Sequence, residues 1–339
     1  MSALKKFAGT SVLITGACGT VGAELTRQVV AAGAARVVCV DNNETELFFL
    51  QEAYKATGKV DCYLADIRDF EALKQRMQGI EVVLHSAALK HVGLCEDSPA
   101  QAILTNIAGT QNVIDAALAN QVERVIFTSS DKAVNPTNVM GTSKLMGERL
   151  MTAASLNNRN SRTIFASTRF GNVLGSRGSV VPLFQRQIEA GGPITLTDRE
   201  MTRFIMTLEE AVELVLNSVW LATGGEVFVT KMPIARIEDI ALHMRDTLSA
   251  GDPVEIVEIG AKPGEKMYEE LMNDEEVRRT YEIEHFFVVL PALAGNHEDR
   301  YPIAQGRQKA DRPYNSSVES GMTSAELAKY FHQRKILGN

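Results

Sequence analysis

Thr15-Gly16-Ala17-Cys18-Gly19-Thr20-Val21-Gly22 follows an apolar run, Ser11-Val12-Leu13-Ile14-Thr15, and opens an amphipathic stretch. In that strand–turn–helix setting each glycine has a separate use. Gly16 permits the tight turn, Gly19 lets the backbone approach a pyrophosphate, and Gly22 lets helix and strand lie close together. Cys18, Thr20 and Val21 complete the turn, where the free N–H groups of the new helix add partial positive charge. A glycine triplet alone is a weak signal, because turns use glycine for many reasons. Here Asp41 reinforces it, about 20 residues past the last glycine and just after the next apolar run, Arg36–Val40. Its carboxylate, with Asn42 beside it, suits the two hydroxyls of an adenine ribose and repels a 2′-phosphate. No arginine adjoins it, so the expected cofactor is NAD rather than NADP. The competing reading of Asp41 is a cap for the helix that begins near Glu44.

Outward from this turn, short apolar runs alternate with amphipathic ones. Strands are expected at Ser11–Thr15, Arg36–Val40, Asp61–Leu64, Glu81–His85, Arg124–Thr128 and Thr163–Ala166. Helices are expected near Val21–Ala32, Glu44–Ala56, Phe70–Gln78, Pro99–Ala119 and Val139–Leu156. Strands that are apolar almost throughout are buried on both faces, and strands alternating with helices make parallel βαβ units. The expected fold is α/β, a doubly wound parallel sheet of the Rossmann kind. After Gly171 the alternation stops, and Ile194–Thr197 and Val254–Ile259 read as strands mixed with helices. A helix at Leu208–Leu221 and a strand at Glu226–Thr230 return to the sheet. The expected division is a cofactor domain of residues 1–172 plus about 204–232, and a smaller substrate domain of residues 173–203 plus about 233–339. The stretch Ala294–Asn315 is polar and aperiodic. A last helix at Ser324–Gln333 starts with a capping-box pattern, Thr323-Ser-Ala-Glu326.

Composition excludes several classes. The chain has 339 residues, 45% of them hydrophobic, enough for one large core or two unequal ones. A net charge of −7 with no long basic run argues against a nucleic-acid surface. No apolar segment approaches the ~20 residues needed to cross a bilayer. The start, Met1-Ser-Ala-Leu-Lys-Lys-Phe7, lacks the apolar stretch of a secretory signal. Cys18, Cys39, Cys62 and Cys95 form no Cys-x-x-Cys pair and have no histidine at ligand spacing. A reducing, cytoplasmic setting is therefore expected, and a structural metal is not.

Other positions carry chemistry. Asp66-Ile67 follows the third strand, where an adenine would lie, and Ser86-Ala87-Ala88 ends the fourth with small side chains that let a cofactor rest on the backbone. Either segment also reads as an ordinary loop. Thr128-Ser129-Ser130-Asp131-Lys132 leaves the fifth strand at the carboxyl edge, where open α/β sheets place their sites. Met140 and Lys144, four apart, share a helix face. Lys144 would hydrogen-bond the nicotinamide ribose. Taken singly, Lys144 also reads as a solvated lysine and Met140 as core packing.

Several segments in order give the chain a family likeness: Ala88–Val92, Ser130–Pro136, Arg169–Val180, Met201–Phe204 and Lys262–Lys266. With them the chain resembles the extended short-chain dehydrogenase/reductases, and within these the 4,6-dehydratases of UDP-N-acetylglucosamine that serve polysaccharide and protein-glycan biosynthesis. The resemblance runs from about Gly9 to Leu271. It implies Asp131 and Lys132 as catalytic groups and Lys144 as the cofactor-orienting lysine. It further implies Lys90, Asn172 and Gly178-Ser179-Val180 as substrate contacts, and Arg203, Glu265 and Lys266 near the nucleotide diphosphate. Tyr314-Asn315-Ser316 would close over the substrate from the tail. Met140 stands where many members carry tyrosine, and a thioether takes no proton, so another base is needed. Relatives lead one to expect a homo-oligomer.

The implied reaction oxidises C4 of the hexose, eliminates water across C5–C6 and returns hydride to C6, with no net redox change. Asp131 would take the O4 proton and pass it to the departing O6, and Ser130 would hydrogen-bond O4. Lys132 would take the C5 proton in its neutral form, favoured by repulsion from Lys144. The competing readings are a nucleotide-sugar 4-epimerase on the same scaffold and a non-catalytic NAD-binding regulator.

Overall fold

The computed structural model describes residues 6–157, 162–249, 251, 253–260, 264–293 and 300–337. The start Met1–Lys5, part of the Lys262–Lys266 segment and the beginning of the tail, residues 294–299, lie outside the described residues. The first half is a regular alternation: β1 Ser11–Thr15, α1 Thr20–Ala31, β2 Arg36–Asp41, α2 Glu44–Tyr54, β3 Val60–Leu64, α3 Phe70–Arg76 and β4 Val82–His85. It continues through α4 Val92–Asp97, α5 Pro99–Ala102, α6 Gly109–Ala119, β5 Arg124–Thr128, α7 Val139–Asn157 and β6 Ile164–Arg169. The second half holds β7 Asn172–Val173, α8 Val180–Glu189, β8 Ile194–Leu196, β9 Thr202–Met206, α9 Leu208–Leu221, β10 Val227–Thr230, β11 Ile234–Arg236 and α10 Ile237–Leu248. It ends with β12 Ile256–Glu258, β13 Glu270–Met272, α11 Asp274–Val277, β14 Thr280–Ile283, β15 Phe286–Val289, β16 Tyr314–Asn315 and α12 Ser324–Gln333.

The large sheet runs β14-β15-β10-β6-β5-β4-β1-β2-β3. From β10 to β3 every pairing is parallel, the doubly wound arrangement expected. The side-chain alternation of each strand explains why both faces need cover. Val12 and Ile14 of β1, Val37 and Cys39 of β2, and Val82 and Leu84 of β4 join one core with Leu25 and Val29 of α1 and Val212 and Val215 of α9. Their neighbours Leu13, Val38, Val40 and Val83 join the opposite core with Leu73 of α3, Val113 of α6 and Met151 of α7. A third apolar cluster gathers Phe184 of α8, Ile194 of β8, Ile240 and Met244 of α10, and Leu327 and Phe331 of α12. Small sheets order this side: β11-β9-β7, β12-β8 and β13-β16.

Two differences from expectation have local causes. The sheet does not end at β10, because a hairpin, β14–β15, adds two antiparallel strands. Its turn places Glu284 at φ 40°, and the single charge of Glu282 within Thr280-Tyr-Glu-Ile283 masks the apolar signal of β14. The long helix expected at Pro99–Ala119 is interrupted by a π-helical segment, Ile103–Ala108. There Asn106 turns inward, accepting from the Leu89 N–H at 2.8 Å and donating to the Leu89 carbonyl at 2.9 Å. Bulges of this kind re-aim one side chain without ending the helix.

Arg169, at the end of β6, is wholly buried and uses all five of its N–H donors. Two go to Glu148 of α7 (2.8 and 2.6 Å), two to Glu276 of α11 (both 2.8 Å) and one to the Leu271 carbonyl (3.1 Å). Removing the cation would leave two buried carboxylates facing each other. Arg169→Met is therefore expected to lower stability by about 3–5 kcal/mol, read from the urea midpoint. A loss below about 1 kcal/mol would mean that the triad is wet, like a surface pair.

Candidate active site

The turns after β1 and β4 meet by close backbone approach. Gly16 lies at φ +66°, and a Cβ there would sit 2.7 Å from the Ala87 Cα; a Cβ on Gly22 would sit 2.1 Å from the Gly16 oxygen. The Asp41 carboxylate is fixed across this turn, accepting from the Cys18 N–H and the Asn43 N–H, each at 2.9 Å. Asp41 is not the cap of α2; that place belongs to Asn43, whose side chain accepts from the Glu46 N–H. A cradle with no room for side chains, a carboxylate held at the tip of β2 and an open helix start fit a dinucleotide. Asp66 is engaged by Arg68 at 2.6 Å and by the Asn42 amide at 3.3 Å. Ile67 is buried against Gly109 of α6.

Lys90 and the 177–180 segment, far apart in sequence, meet here. Lys90 Nζ donates to the Arg177 carbonyl at 2.8 Å, and Gly178 lies against the ring of His91. Burial and the Arg177 charge hold the Lys90 ammonium below its usual range. Arg177 also reaches across the glycine turn: its N–H donates to Thr20 Oγ1 at 3.3 Å and its guanidinium pairs with Glu46 at 2.9 Å. Ser179 precedes Val180, the first residue of α8, and its buried hydroxyl has no partner among the described residues. Asn172 opens β7 opposite Ile205.

At the carboxyl end of β5, Ser130-Asp131-Lys132 forms a tight turn. Asp131 is buried, and its Oδ1 accepts from the Ser130 hydroxyl (2.7 Å), the Lys132 N–H (2.8 Å) and Lys132 Nζ (3.0 Å). Its Oδ2 is buried with no partner among the described residues. Helix α7 comes against this turn because Gly141 has no side chain; a Cβ there would stand 2.2 Å from the Lys132 oxygen. From that helix Lys144 donates to the Thr128 carbonyl at 2.8 Å. Burial pulls its ammonium down to about 8, against a smaller opposing effect of Glu148. Met140 packs with Cys95 and Ala102 in a small apolar group.

The structure corrects the expected state of Lys132. Burial pushes its pKa down, but the Asp131 and Glu269 carboxylates outweigh that and raise it. The like charge beside it is Arg203, not Lys144. Arg203 Nη atoms are occupied by the Thr202, Met267 and Lys266 carbonyls. Lys266 donates to the Val134 carbonyl at 2.9 Å, and Glu265 accepts from Thr197 at 3.3 Å. Lys266 thus ties the loop before β13 to the segment after the Asp131 turn, while Arg203 and Glu265 tie it to β9 and to Thr197. Tyr314-Asn315-Ser316 buttresses β13 rather than covering the edge: β16 pairs with β13, and the Tyr314 hydroxyl donates to the Met232 carbonyl at 3.0 Å.

Sequence reasoning missed four groups. Glu269 lies 3.4 Å from Lys132 Nζ. Asn106 donates at 2.8 Å to Ser143, which in turn donates to the Met140 carbonyl, steadying the first turn of α7. His85 bridges Thr15 (2.7 Å) and Thr110 (3.1 Å), and burial, helped by the Lys144 charge, drives its pKa down to about 3. These contacts join segments far apart in sequence, which spacing alone does not bring together.

Sheet order and edge together place the chain among the extended short-chain dehydrogenase/reductases. It belongs to the polysaccharide biosynthesis protein family, whose profile matches residues 12–291. An uncharacterized membrane protein of Methanocaldococcus jannaschii is 45% identical over 86% of this chain and 89% of its own length. A UDP-N-acetylglucosamine 4,6-dehydratase (inverting) of Campylobacter jejuni is 36% identical over 84% of this chain and 83% of its own. A UDP-glucose 4-epimerase of Rickettsia rickettsii is also 36% identical, over 83% of each. The X-ray structure of Pen from Bacillus thuringiensis superposes with a TM-score of 0.90 at 40% identity, covering 96% of this chain and 98% of that one. Among the described residues no helix is long and apolar enough to cross a membrane.

Lys144 offers a pH test. Its ammonium is favoured in the unfolded chain, whose ordinary value is 10.5, over the folded one at about 8. The folded state therefore carries the full penalty below pH 8 and sheds it as pH rises to 10.5. Lys144→Met should stabilise the cofactor-free protein at pH 7 by roughly 1–3 kcal/mol. The gap should close between those two pH values in parallel thermal melts; a gap that is constant with pH refutes the assignment.

Proposed function

We propose that the protein is a nucleotide-sugar 4,6-dehydratase acting on UDP-N-acetylglucosamine or a close nucleoside-diphosphate N-acetylhexosamine, with NAD as its cofactor. The observation that carries the reading is the adjacent acid and amine, Asp131 and Lys132, on the turn beside Lys144 at the carboxyl edge of β5. When bound in the cradle of Gly16, Gly22 and Asp41, NAD supplies the hydride acceptor and donor. Asp41 would meet the ribose hydroxyls and disfavour a 2′-phosphate. Lys144 would orient the nicotinamide ribose and add positive charge beside the O4 proton. Asp131, through its open Oδ2, takes that proton and delivers it to O6 as water leaves. Ser130 aligns O4, and Met140 contributes an apolar wall. Lys90, Asn172 and Gly178-Ser179-Val180 would hold the sugar nucleotide. Arg203, Glu265 and Lys266 would shape its diphosphate end from the backbone outward.

A 4-epimerase is the second reading, favoured by the Rickettsia relative. Epimerisation at C4 needs a base for O4 but no acid for O6 and no base for C5, so Lys132 and the second duty of Asp131 would be idle in it. The deciding experiment incubates UDP-N-acetylglucosamine with the protein and catalytic NAD in H₂O and in D₂O. Mass spectrometry should show a product lighter by one water, with solvent deuterium at C5 and no accumulated NADH. An unchanged mass with a new C4 configuration by NMR would instead establish the epimerase.

Asp131→Asn should lower turnover about 10²–10⁴-fold and remove the transient NADH signal, because C4 oxidation loses its base. A normal transient in that variant would move the first step to another group, with Ser130 the nearest.

A further inference from the structure

Lys132 lies between two buried carboxylates. Its Nζ is 3.0 Å from Asp131 and 3.4 Å from Glu269, the residue just before β13. Each carboxylate keeps one oxygen, Asp131 Oδ2 and Glu269 Oε2, buried and without a partner among the described residues. A purely structural ion cluster would be expected to satisfy both, since a buried acceptor left open costs about 1–3 kcal/mol. Glu269 is rigidly placed. Its N–H donates to Ser316 Oγ at 2.9 Å, its carbonyl accepts from the Ser316 N–H at 2.9 Å, and Ser316 Oγ lies 2.9 Å from Thr202 Oγ1. Arg203 Nε, 3.7 Å away, is the second cation that faces it, and Lys266 the third.

Resting on the dehydratase reading, we infer that Glu269 is the positioning residue for the proton of Lys132: it holds the ammonium in the empty site and accepts its proton when substrate excludes water. Asp131 is engaged with the O4 and O6 protons and cannot fill this place as well. The exchange converts Lys132-NH₃⁺ and Glu269-COO⁻ into Lys132-NH₂ and Glu269-COOH, and charge is conserved. Lys132-NH₂ then takes the C5 proton while Asp131-COOH protonates the leaving O6. After hydride reaches C6, Lys132-NH₃⁺ returns a proton to C5 and regains one from Glu269. All groups end as they began. Burial, with Asp131 close by, pushes the Glu269 carboxyl up, the direction such an exchange requires.

The test is Glu269→Gln, an isosteric change that removes the charge. Stopped-flow absorbance should still show the NADH transient, while deuterium exchange at C5 and product formation fall about 10²–10⁴-fold. The Nζ resonance of Lys132, assigned by its loss in Lys132→Arg, should titrate at lower pH in the variant. Wild-type C5 exchange, or an unmoved Lys132 midpoint, overturns the inference. So does loss of the transient in a variant that still binds NAD, since that marks a structural role. Should Glu269→Gln not fold, Glu269→Asp must keep the transient and slow C5 exchange. Failure of the dehydratase reading would show separately, as wild-type protein that removes no water; the Lys132 titration then still decides whether the two groups share a proton.

Discussion

No side chain fits between the turn after β1 and the turn after β4: a Cβ on Gly16 would lie 2.7 Å from both the Cα and N of Ala87. This contact follows from strand order, because β1 lies between β4 and β2 and its chain must turn away at the point where the winding reverses. The rest of the edge is arranged from it. Asp41 ends the strand on one side, and the Thr128–Lys132 segment ends the second strand on the other. At ~4.8 Å per strand, the two lie roughly 14 Å apart along the edge, a span suited to a dinucleotide laid across the strand ends.

Electrostatics then separates two lysines that share this edge. Lys144 has a carbonyl as its hydrogen-bond partner and the pull of a single glutamate, Glu148, so burial wins and its ammonium is weakened. Lys132 has two carboxylates at contact distance, so attraction outweighs its partial burial. What decides the sign is which charges face each amine across the fold. One of those, Glu269, reaches Lys132 from the loop before β13, tied down by Ser316 of the tail.

The parallel half of the fold was legible because strands buried on both faces leave little freedom in composition: β1, β2, β4 and β5 announce themselves within a residue or so of their ends. The glycine turn and Asp41 were legible because their spacing is local. The hairpin β14–β15 was not, since Glu282 and Glu284 interrupt its apolar pattern and its partner β10 is set by tertiary pairing. Asn106 was hidden because a helix interruption changes no residue type. Glu269 was hidden for a different reason. Tyr268-Glu269-Glu270 reads as surface until the chain brings it against Lys132, where Glu269 joins Asp131 in raising that lysine's pKa.

The ionic contacts of the molecule include two extremes of exposure. Lys55–Glu52 and Arg177–Glu46 have side chains open to solvent, within reach of mobile counter-ions. Arg169 with Glu148 and Glu276 is sealed, with side chains no more than 3% exposed. At molar salt, where the screening length shrinks to about 3 Å, the first group fades and the second scarcely changes. Ionic strength therefore separates the two functions of charge in this fold: it would loosen the Arg177 strap across the glycine turn and leave the brace behind α7 in place.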